Sequence, residues 1–301
     1  MDPVWCRELP AAIIGNSETA VRPVVSFTPN WRKIFVYESV TITCSVHPSA
    51  QWVHQFYWYK DNKRLHMNNQ SVTIDFADET HTGNYQCKTN TTQQSDPAKL
   101  SVLNGWVILQ VPLLIYKGDI LSLKCHSFPG RKAQNAMFFL HDKLLNSSGD
   151  ILQVGKVNLS KNGPYKCKKE VYSSNTYRIY IDDVSVSVTE LFSSPELKVI
   201  PYPQTVGHTL TLICDTSLPP LKEDTELHFA FYRNGQKVQE FGTSNKHQIN
   251  SAHFTNSGYY TCEVKTVNDD IKKISNGLYL KIASQVELDG PQNSSQLPRM
   301  A

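Results

Sequence analysis

The chain lacks the short motifs that mark common enzymes and metal proteins. Its 301 residues contain no Gly-Xaa-Ser-Xaa-Gly elbow, no phosphate-binding loop, no Cys-Xaa-Xaa-Cys and no His-Glu-Xaa-Xaa-His. A hydrolase nucleophile, a nucleotide phosphate and a zinc ion each need their ligands at such fixed spacings. We therefore predict a binding protein rather than an enzyme, with no cofactor and no metal ion.

Long apolar runs are absent too. The sequence has no stretch of about 18 apolar residues that could span a membrane. A secretory signal needs an apolar run of about 7–15 residues near the start, whereas residues 1–21 supply only the short AAII. We expect residues 1–21 to form no domain and residues 285–301 to form an unstructured tail, and we assign no role to Cys6.

The net charge is small for a protein that binds nucleic acid. Thirty Lys and Arg against 27 Asp and Glu give +3 at pH 7, which leaves little to neutralise phosphates. The excess is concentrated in residues 105–188, which carry 11 basic and 6 acidic residues, whereas residues 189–284 carry 9 and 10. This distribution favours an acidic protein surface as the partner of the middle third.

Seven cysteines are present, and six of them fall into consecutive pairs. The separations of 43, 42 and 48 residues predict one disulfide in each of three similar units: Cys44–Cys87, Cys125–Cys167 and Cys214–Cys262. Such bridges persist in oxidising compartments and stabilise a domain by about 4 kcal/mol each. Five glycosylation sequons agree with a secretory context, at Asn69, Asn90, Asn146, Asn158 and Asn293.

A glycine and a tyrosine recur four and two residues before the second cysteine of every pair. The segments are Gly83-Asn-Tyr85-Gln-Cys87, Gly163-Pro-Tyr165-Lys-Cys167 and Gly258-Tyr-Tyr260-Thr-Cys262. This spacing is typical of the tyrosine corner of immunoglobulin-type sandwiches, in which the hydroxyl bonds to backbone upstream. Around the first cysteines the sequence alternates like a half-buried strand. We predict an all-β chain of three tandem C2-type immunoglobulin-like domains with one disulfide each.

The predicted domains occupy residues 22–104, 105–188 and 189–284, because about 80–100 residues suit a sandwich of this kind. Each core needs an aromatic side chain against its disulfide. Trp58 supplies it in the first domain, whereas Phe138-Phe139 and Phe231-Tyr232 supply smaller rings in the others. Asn158 should point outward from a strand on which Val157 and Leu159 point inward.

Residues 105–128 carry a more specific likeness. The stretch GWVILQ from Gly105 and the segment Cys125-His-Ser-Phe128 resemble the G-W-L-x-L-Q opening and the C-H-S-W of the second extracellular domain of Fc-gamma receptors. Ser95-Asp-Pro97 resembles the S-D-P of the same family. Over residues 22–283 the chain thus resembles leukocyte Fc receptors and their Fc receptor-like relatives. The resemblance implies a bend between the first two domains and ligand binding on the second.

The resemblance also implies a binding site. In Fc-gamma receptors two tryptophans clasp a proline of the antibody Fc, and they correspond here to Trp106, which matches, and Phe128, which departs. Phenylalanine offers less area and no indole N–H, so a weaker clasp is expected. Because Phe128 precedes the turn Pro129-Gly130, we expect it in a loop with little core to fill. The alternative for Trp106 is packing between domains without ligand contact.

Basic residues in the same domain are expected to steer an acidic surface toward these loops. They are Arg131, Lys132, Lys166, Lys168 and Lys169; the alternative is an ordinary solvated lysine face. One sequon has the opposite effect, because Asn146 falls in the loop that the family uses for ligand contact and its glycan could cover the site.

Three hypotheses of function follow. The first is an Fc receptor-like immune receptor ectodomain, extracellular or at the cell surface, that binds immunoglobulin Fc mainly through its second domain. The second is an orphan relative that binds another cell-surface protein, such as a class I histocompatibility-like molecule, or mediates adhesion. The third is a soluble or intracellular immunoglobulin-binding protein. A membrane signalling subunit is a further expected partner if a spanning segment is missing from this chain.

Overall fold

A computed structural model describes residues 22–46, 55–147 and 149–284 of the chain. The predictions for Cys6, Asn293, the N-terminal segment and the C-terminal tail lie outside these residues. Strands dominate the described chain, with short 3-10 helices at Glu79–His81, Leu159–Lys161, Pro220–Lys222 and Phe254–Asn256. They form three tandem immunoglobulin-like sandwiches, so the predicted fold class is confirmed.

The first sandwich contains eight strands. They are β1 (Val24–Thr28), β2 (Lys33–Phe35), β3 (Val40–Ser45), β4 (Phe56–Lys60), β5 (Lys63–Arg64), β6 (Ser71–Ile74), β7 (Gly83–Thr89) and β8 (Ala98–Leu103). One sheet has the order β1-β3-β6 and the other β2-β8-β7-β4-β5, in which β2 runs parallel to β8. Side chains of β3 alternate between buried and half-buried, as its sequence pattern predicts.

The second sandwich contains seven strands. They are β9 (Val107–Gln110), β10 (Ile120–Ser127), β11 (Ala133–Leu140), β12 (Lys143–Leu145), β13 (Ile151–Lys156), β14 (Gly163–Ser173) and β15 (Thr176–Val186). Its sheets have the orders β13-β10-β9 and β12-β11-β14-β15. The last two strands form an antiparallel hairpin of 11 residues on each side.

The third sandwich contains eight strands. They are β16 (Glu196–Ile200), β17 (Leu210–Asp215), β18 (Leu227–Arg233), β19 (Gln236–Gly242), β20 (Lys246–Ile249), β21 (Gly258–Thr266), β22 (Lys272–Ile274) and β23 (Leu278–Leu280). The smaller sheet has the order β16-β17-β20. The larger has the order β19-β18-β21-β22, and β23 also pairs with β21.

Each sandwich is closed by a disulfide beside a buried aromatic ring. The pairs Cys44–Cys87, Cys125–Cys167 and Cys214–Cys262 are all bonded, which confirms the prediction. Trp58, Phe138 and Phe231 have no exposed surface. The indole N–H of Trp58 donates to the Asn69 carbonyl at 2.9 Å, so the larger ring is also satisfied as a hydrogen-bond donor.

The tyrosine corner is present in two domains and incomplete in one. The Tyr85 hydroxyl donates to the His81 carbonyl at 2.9 Å, and the Tyr260 hydroxyl donates to the Asn256 carbonyl at 2.7 Å. The Tyr165 hydroxyl is buried and has no hydrogen-bond partner among the described residues. The predicted bond is therefore wrong for the second domain, although the ring still fills the core.

The surroundings of Asn158 differ from the prediction in one respect. Asn158 is exposed and Val157 is buried, as expected. Leu159, however, begins a 3-10 helix and is 47% exposed, because the Asn158 side chain accepts from the Ser160 amide and caps that helix. The strand alternation assumed for Leu159 therefore ends at Val157.

A short segment between β9 and β10 contacts both outer domains. Leu113 packs against the core of the first domain, whereas Leu114 and Tyr116 pack against the core of the third. Tyr116 also forms an isolated parallel bridge with Thr189. The three sandwiches are therefore joined by side-chain packing as well as by covalent linkers.

Candidate functional site

Trp106 lies on the second domain, directly before β9. Its ring stacks on Tyr180 of β15, with centroids 5.0 Å apart and planes inclined by 21°. The Arg131 guanidinium carbon lies 4.6 Å from the centroid of the indole ring, within the range of a cation–π contact. Trp106 is half-buried and packs on the core of its own domain. The ring is thus held in place by residues of its own domain.

Phe128 occupies the seam with the first domain, which differs from the predicted loop position with little core to fill. It does lie in the loop after β10, and its amide donates to the Trp106 carbonyl at 3.0 Å. Its ring, however, meets Phe35 edge-on at 5.2 Å and packs on the core of the first domain. The first domain supplies the apolar surface for this ring that the second domain alone does not.

A tight turn brings Arg131 back over Trp106. The Arg131 amide donates to the Phe128 carbonyl at 3.2 Å, and Gly130 has φ of +79°. Proline at the second turn position and a left-handed glycine at the third are typical of a type II turn. The sequence Phe128-Pro129-Gly130-Arg131 therefore links the two predicted aromatic residues with the first basic residue of the site.

Lys169 does not belong to an exposed basic face. Only 1% of its side chain is exposed, and its ammonium pairs with Asp150 at 2.7 Å. The same ammonium donates to the Cys125 carbonyl at 3.0 Å. The prediction that Lys169 steers a ligand is therefore wrong, because its charge is neutralised inside the domain.

The other predicted basic residues are distributed over two faces. Lys132 is exposed beside Arg131, and its carbonyl accepts from the Tyr172 amide. Lys168 lies over the Phe139 ring at 5.0 Å and alternates with the buried Lys169, so it points to the outer face of the sheet. Lys166 is paired with Asp142 at 2.5 Å. The structure thus places Arg131 over Trp106 and Lys168 over Phe139, and Lys132 follows Arg131 in the chain.

A hydrogen bond between side chains, which the sequence pattern does not indicate, connects the first two domains near Phe128. His126 Nε2 and Glu38 Oε1 are 2.6 Å apart, and the His126 ring lies 5.3 Å from that of Phe35. Burial raises the pKa of Glu38, but the hydrogen bonds from His126 and from the Phe35 amide, with the charges of His126 and Lys124, outweigh it. The pKa of Glu38 therefore lies below its ordinary value.

A second contact across this seam involves Lys33 and Asp182. The Lys33 ammonium lies 2.7 Å from an Asp182 carboxylate oxygen, which also accepts from the Leu109 amide at 2.6 Å. The same ammonium donates to the Asp183 carbonyl at 2.9 Å. These bonds join β2, β9 and β15, so they hold the first two domains together beside the site.

Tyr180 is the residue of the site that sequence reasoning missed. It lies within TYRIYI, where Tyr177, Ile179 and Ile181 suggest an apolar face and Tyr180 falls on the other side of the strand. The alternation could have identified Tyr180, because an aromatic residue on the inner side of a strand needs a packing partner there.

The sequons within the described residues are all exposed. They are Asn69, Asn90, Asn146 and Asn158. Asn146 lies in the connection between β12 and β13, as expected, and a glycan there would extend from the second domain. Glycosylation of these residues remains a prediction.

Comparisons with known proteins identify immunoglobulin domains in two parts of the chain. A family model described as immunoglobulin domain matches residues 22–90, and a second model with the same description matches residues 194–282. Human Fc receptor-like protein 4 is 30% identical over 286 residues, which cover 90% of this chain and 53% of that protein. Human Fc receptor-like B is 31% identical over 284 residues, which cover 88% of this chain and 64% of that protein.

A solved structure is similar over one domain. The second Ig-C2 domain of human Fc-receptor like A is 31% identical, covers 31% of this chain and 99% of its own, and has a TM-score of 0.27. The chain spans between about half and two thirds of the length of the two curated relatives above. Among the described residues no helix is long and apolar enough to cross a bilayer, and no cluster of three potential metal ligands occurs.

Proposed function

The chain belongs to the Fc receptor-like family of immunoglobulin-domain proteins, and from this premise we propose that it binds the Fc region of immunoglobulin through its second domain. Family membership makes the described part an immune-receptor-like ectodomain and points to a non-enzymatic receptor. The proposed setting is the cell surface or the extracellular space, because three disulfides require an oxidising compartment.

The observation that carries the proposal is the fixed, half-buried ring of Trp106. Aromatic side chains that are held rigidly and remain partly accessible lose little conformational entropy on binding, and tryptophan is enriched among interface hot spots. Stacking on Tyr180 and the contact with Arg131 hold the indole before any ligand arrives. An apolar ring of the ligand, such as a proline, would stack on its accessible part, with Arg131 and Lys132 beside it.

Removing the indole tests this proposal. We expect Trp106→Ala to weaken binding of the whole chain to immunoglobulin Fc by more than about tenfold, because a central aromatic anchor is lost. Surface plasmon resonance against purified isotypes of the same species measures the affinity. Tyr202→Ala is the matched control, since Tyr202 is an aromatic residue of the third domain with 87% exposure. A wild-type chain that binds no isotype would overturn the proposal.

A second candidate keeps the family and changes the ligand to another cell-surface protein. The observation that favours it is the position of Phe128, whose ring packs on Phe35 and is therefore not free to form the second half of a clasp. The exposed sequon at Asn146 favours it as well.

The two candidates differ in their response to loss of the Asn146 glycan. If immunoglobulin is the ligand and the glycan covers the site, Asn146→Gln should increase binding to Fc in the same resonance assay. Asn69→Gln, which removes a sequon of the first domain, is the control. If Asn146→Gln leaves Fc binding absent while the chain binds cells that carry class I histocompatibility-like molecules, the second candidate is favoured.

A further inference from the structure

Strand β15 leaves one edge of the second domain unpaired. It is the outermost strand of the sheet β12-β11-β14-β15 and pairs with β14 along its whole length. No described residue forms a backbone hydrogen bond with its other edge between Thr176 and Ile181. Farther along the same edge, the parallel bridge between Tyr116 and Thr189 covers the chain after β15, as β2 covers β8 in the first domain. A free edge of this kind is a template for pairing with another strand.

The same segment presents apolar side chains to solvent. Tyr177, Ile179 and Ile181 are 42%, 59% and 53% exposed on the outer face of the sheet. The window TYRIYI contains no proline, no glycine and one charged residue, a composition that strongly favours extended pairing. Its register with β14 contains no bulge. The usual devices that protect an edge strand are therefore missing, except for the charge of Arg178.

The turn of the hairpin fixes which amides face outward. Ser174 and Asn175 form the two-residue loop with φ of 50° and 61°, as a type I′ turn requires. The flanking pair Ser173 and Thr176 is hydrogen-bonded in such hairpins, and hydrogen-bonded pairs alternate along antiparallel strands. The odd-numbered residues of β15 therefore direct their N–H and C=O outward. The bond from Lys33 to the Asp183 carbonyl agrees with this orientation.

We propose that this edge pairs antiparallel with β15 of a second copy of the chain, about a twofold axis at Ile179. The two four-stranded sheets then form one continuous sheet of eight strands. A second copy is the favoured occupant because the segment is complementary to itself in this register. Tyr177 lies opposite Ile181, and Arg178 lies opposite the uncharged Tyr180, so no like charges meet. Closed twofold pairing also uses up both free edges.

The two neighbouring registers are less favourable. An axis at Arg178 would place two guanidinium groups directly opposite each other, which is unfavourable. An axis at Tyr180 would pair Tyr177 with Asp183, whose outward carbonyl already accepts from the Lys33 ammonium. The axis at Ile179 uses only residues whose outer edge is free.

Charged substitutions of Ile179, the residue on the twofold axis, test both the dimer and its register. The wild-type chain is produced in secretory cells with its disulfides and glycans. We expect it to form a reversible dimer at protein concentrations up to about 100 μM, and the dimer should be weak because a single strand pair makes a small interface. Ile179→Lys and Ile179→Glu should each weaken dimerisation by at least about tenfold, because identical charges meet at the axis. An equimolar mixture of the two variants should restore a dimer. Sedimentation velocity measures all three.

The control is Ile274→Lys, which changes an isoleucine of the third domain with 61% exposure and should leave dimerisation unchanged. Far-ultraviolet circular dichroism verifies that each variant is folded. A wild-type chain that stays monomeric throughout this range would overturn the proposal. Dimers that persist in Ile179→Lys, or a mixture that stays monomeric, would also overturn it. The sedimentation experiment contains no immunoglobulin, so its result is independent of the proposed Fc binding.

Discussion

The ammonium group of Lys169 connects the disulfide-bearing strand β10 to the loop before β13. It donates to the Cys125 carbonyl and pairs with Asp150. Because the side chain is almost fully buried, its charge is tolerated only through these partners. A residue that resembles a ligand-steering lysine in the sequence is thus a structural member of the second domain.

Replacement of Lys169 by methionine should lower the unfolding free energy of the chain by about 2 kcal/mol, since methionine fills a similar volume but leaves the buried carbonyl without its charged donor. Guanidinium unfolding under non-reducing conditions measures the change. Lys143→Met, at an exposed position of β12, should change stability by less than about 0.5 kcal/mol. Equal effects of the two substitutions would contradict the structural role of Lys169.

At the scale of strands, the sequence was sufficient where local pattern and covalent constraint coincide. The alternation in β3 and the cysteine pairs were predictable because side-chain direction in a strand has a period of two and a disulfide needs two facing strands. The pattern was insufficient at Leu159, where the side chain of Asn158 ends the alternation by capping a helical turn. The sequence pattern also failed at the Tyr165 hydroxyl, which has no hydrogen-bond partner among the described residues. The hydrogen bond of a tyrosine corner depends on the conformation of the preceding loop, which the spacing of tyrosine and cysteine does not specify.

The S-D-P motif of the first domain has a physical role that explains why the hairpin of the second domain is different. The Ser95 hydroxyl accepts from the Cys87 amide at 2.9 Å, and Ser275 does the same for Cys262 at 3.0 Å. In both domains the serine hydroxyl thus takes the place of the backbone carbonyl that would accept this amide in an uninterrupted pair of strands. The second domain has no such interruption between Gly163 and Val186. Its hairpin therefore extends without a break and carries the free edge of β15.

For the whole molecule, the arrangement of the domains determines the environment of the site. Phe128 could not be placed from sequence, because the surface that receives its ring belongs to Phe35 of another domain. The same holds for the pairs of Glu38 with His126 and of Lys33 with Asp182, which join residues 88 and 149 positions apart. Contacts between residues so far apart in the chain leave no periodic pattern in the sequence. The sequence therefore indicated which aromatic and basic residues to consider, but not which of them lie together.

The bond between Glu38 and His126 predicts that the seam loses stability in acid. Because the pKa of Glu38 is lower in the folded chain than its ordinary value of 4.5, the unfolded chain takes up the proton more readily. The contribution of the Glu38 carboxylate to the free energy of unfolding is therefore present above pH 4.5 and is lost as the pH falls through the lowered pKa. Glu38→Gln removes the charge and should lower the melting temperature only where the carboxylate is ionised.

Differential scanning calorimetry from about pH 5.5 to about pH 3.5 measures this difference, a range that brackets the titration of ordinary carboxylates. We expect wild-type chain to melt above Glu38→Gln at the upper end, and the two curves to converge toward the lower end. Glu240→Gln, which changes a carboxylate of the third domain with 84% side-chain exposure, should show no such convergence. A constant difference between wild type and Glu38→Gln would mean that the charge of Glu38 does not stabilise the seam beside Phe128.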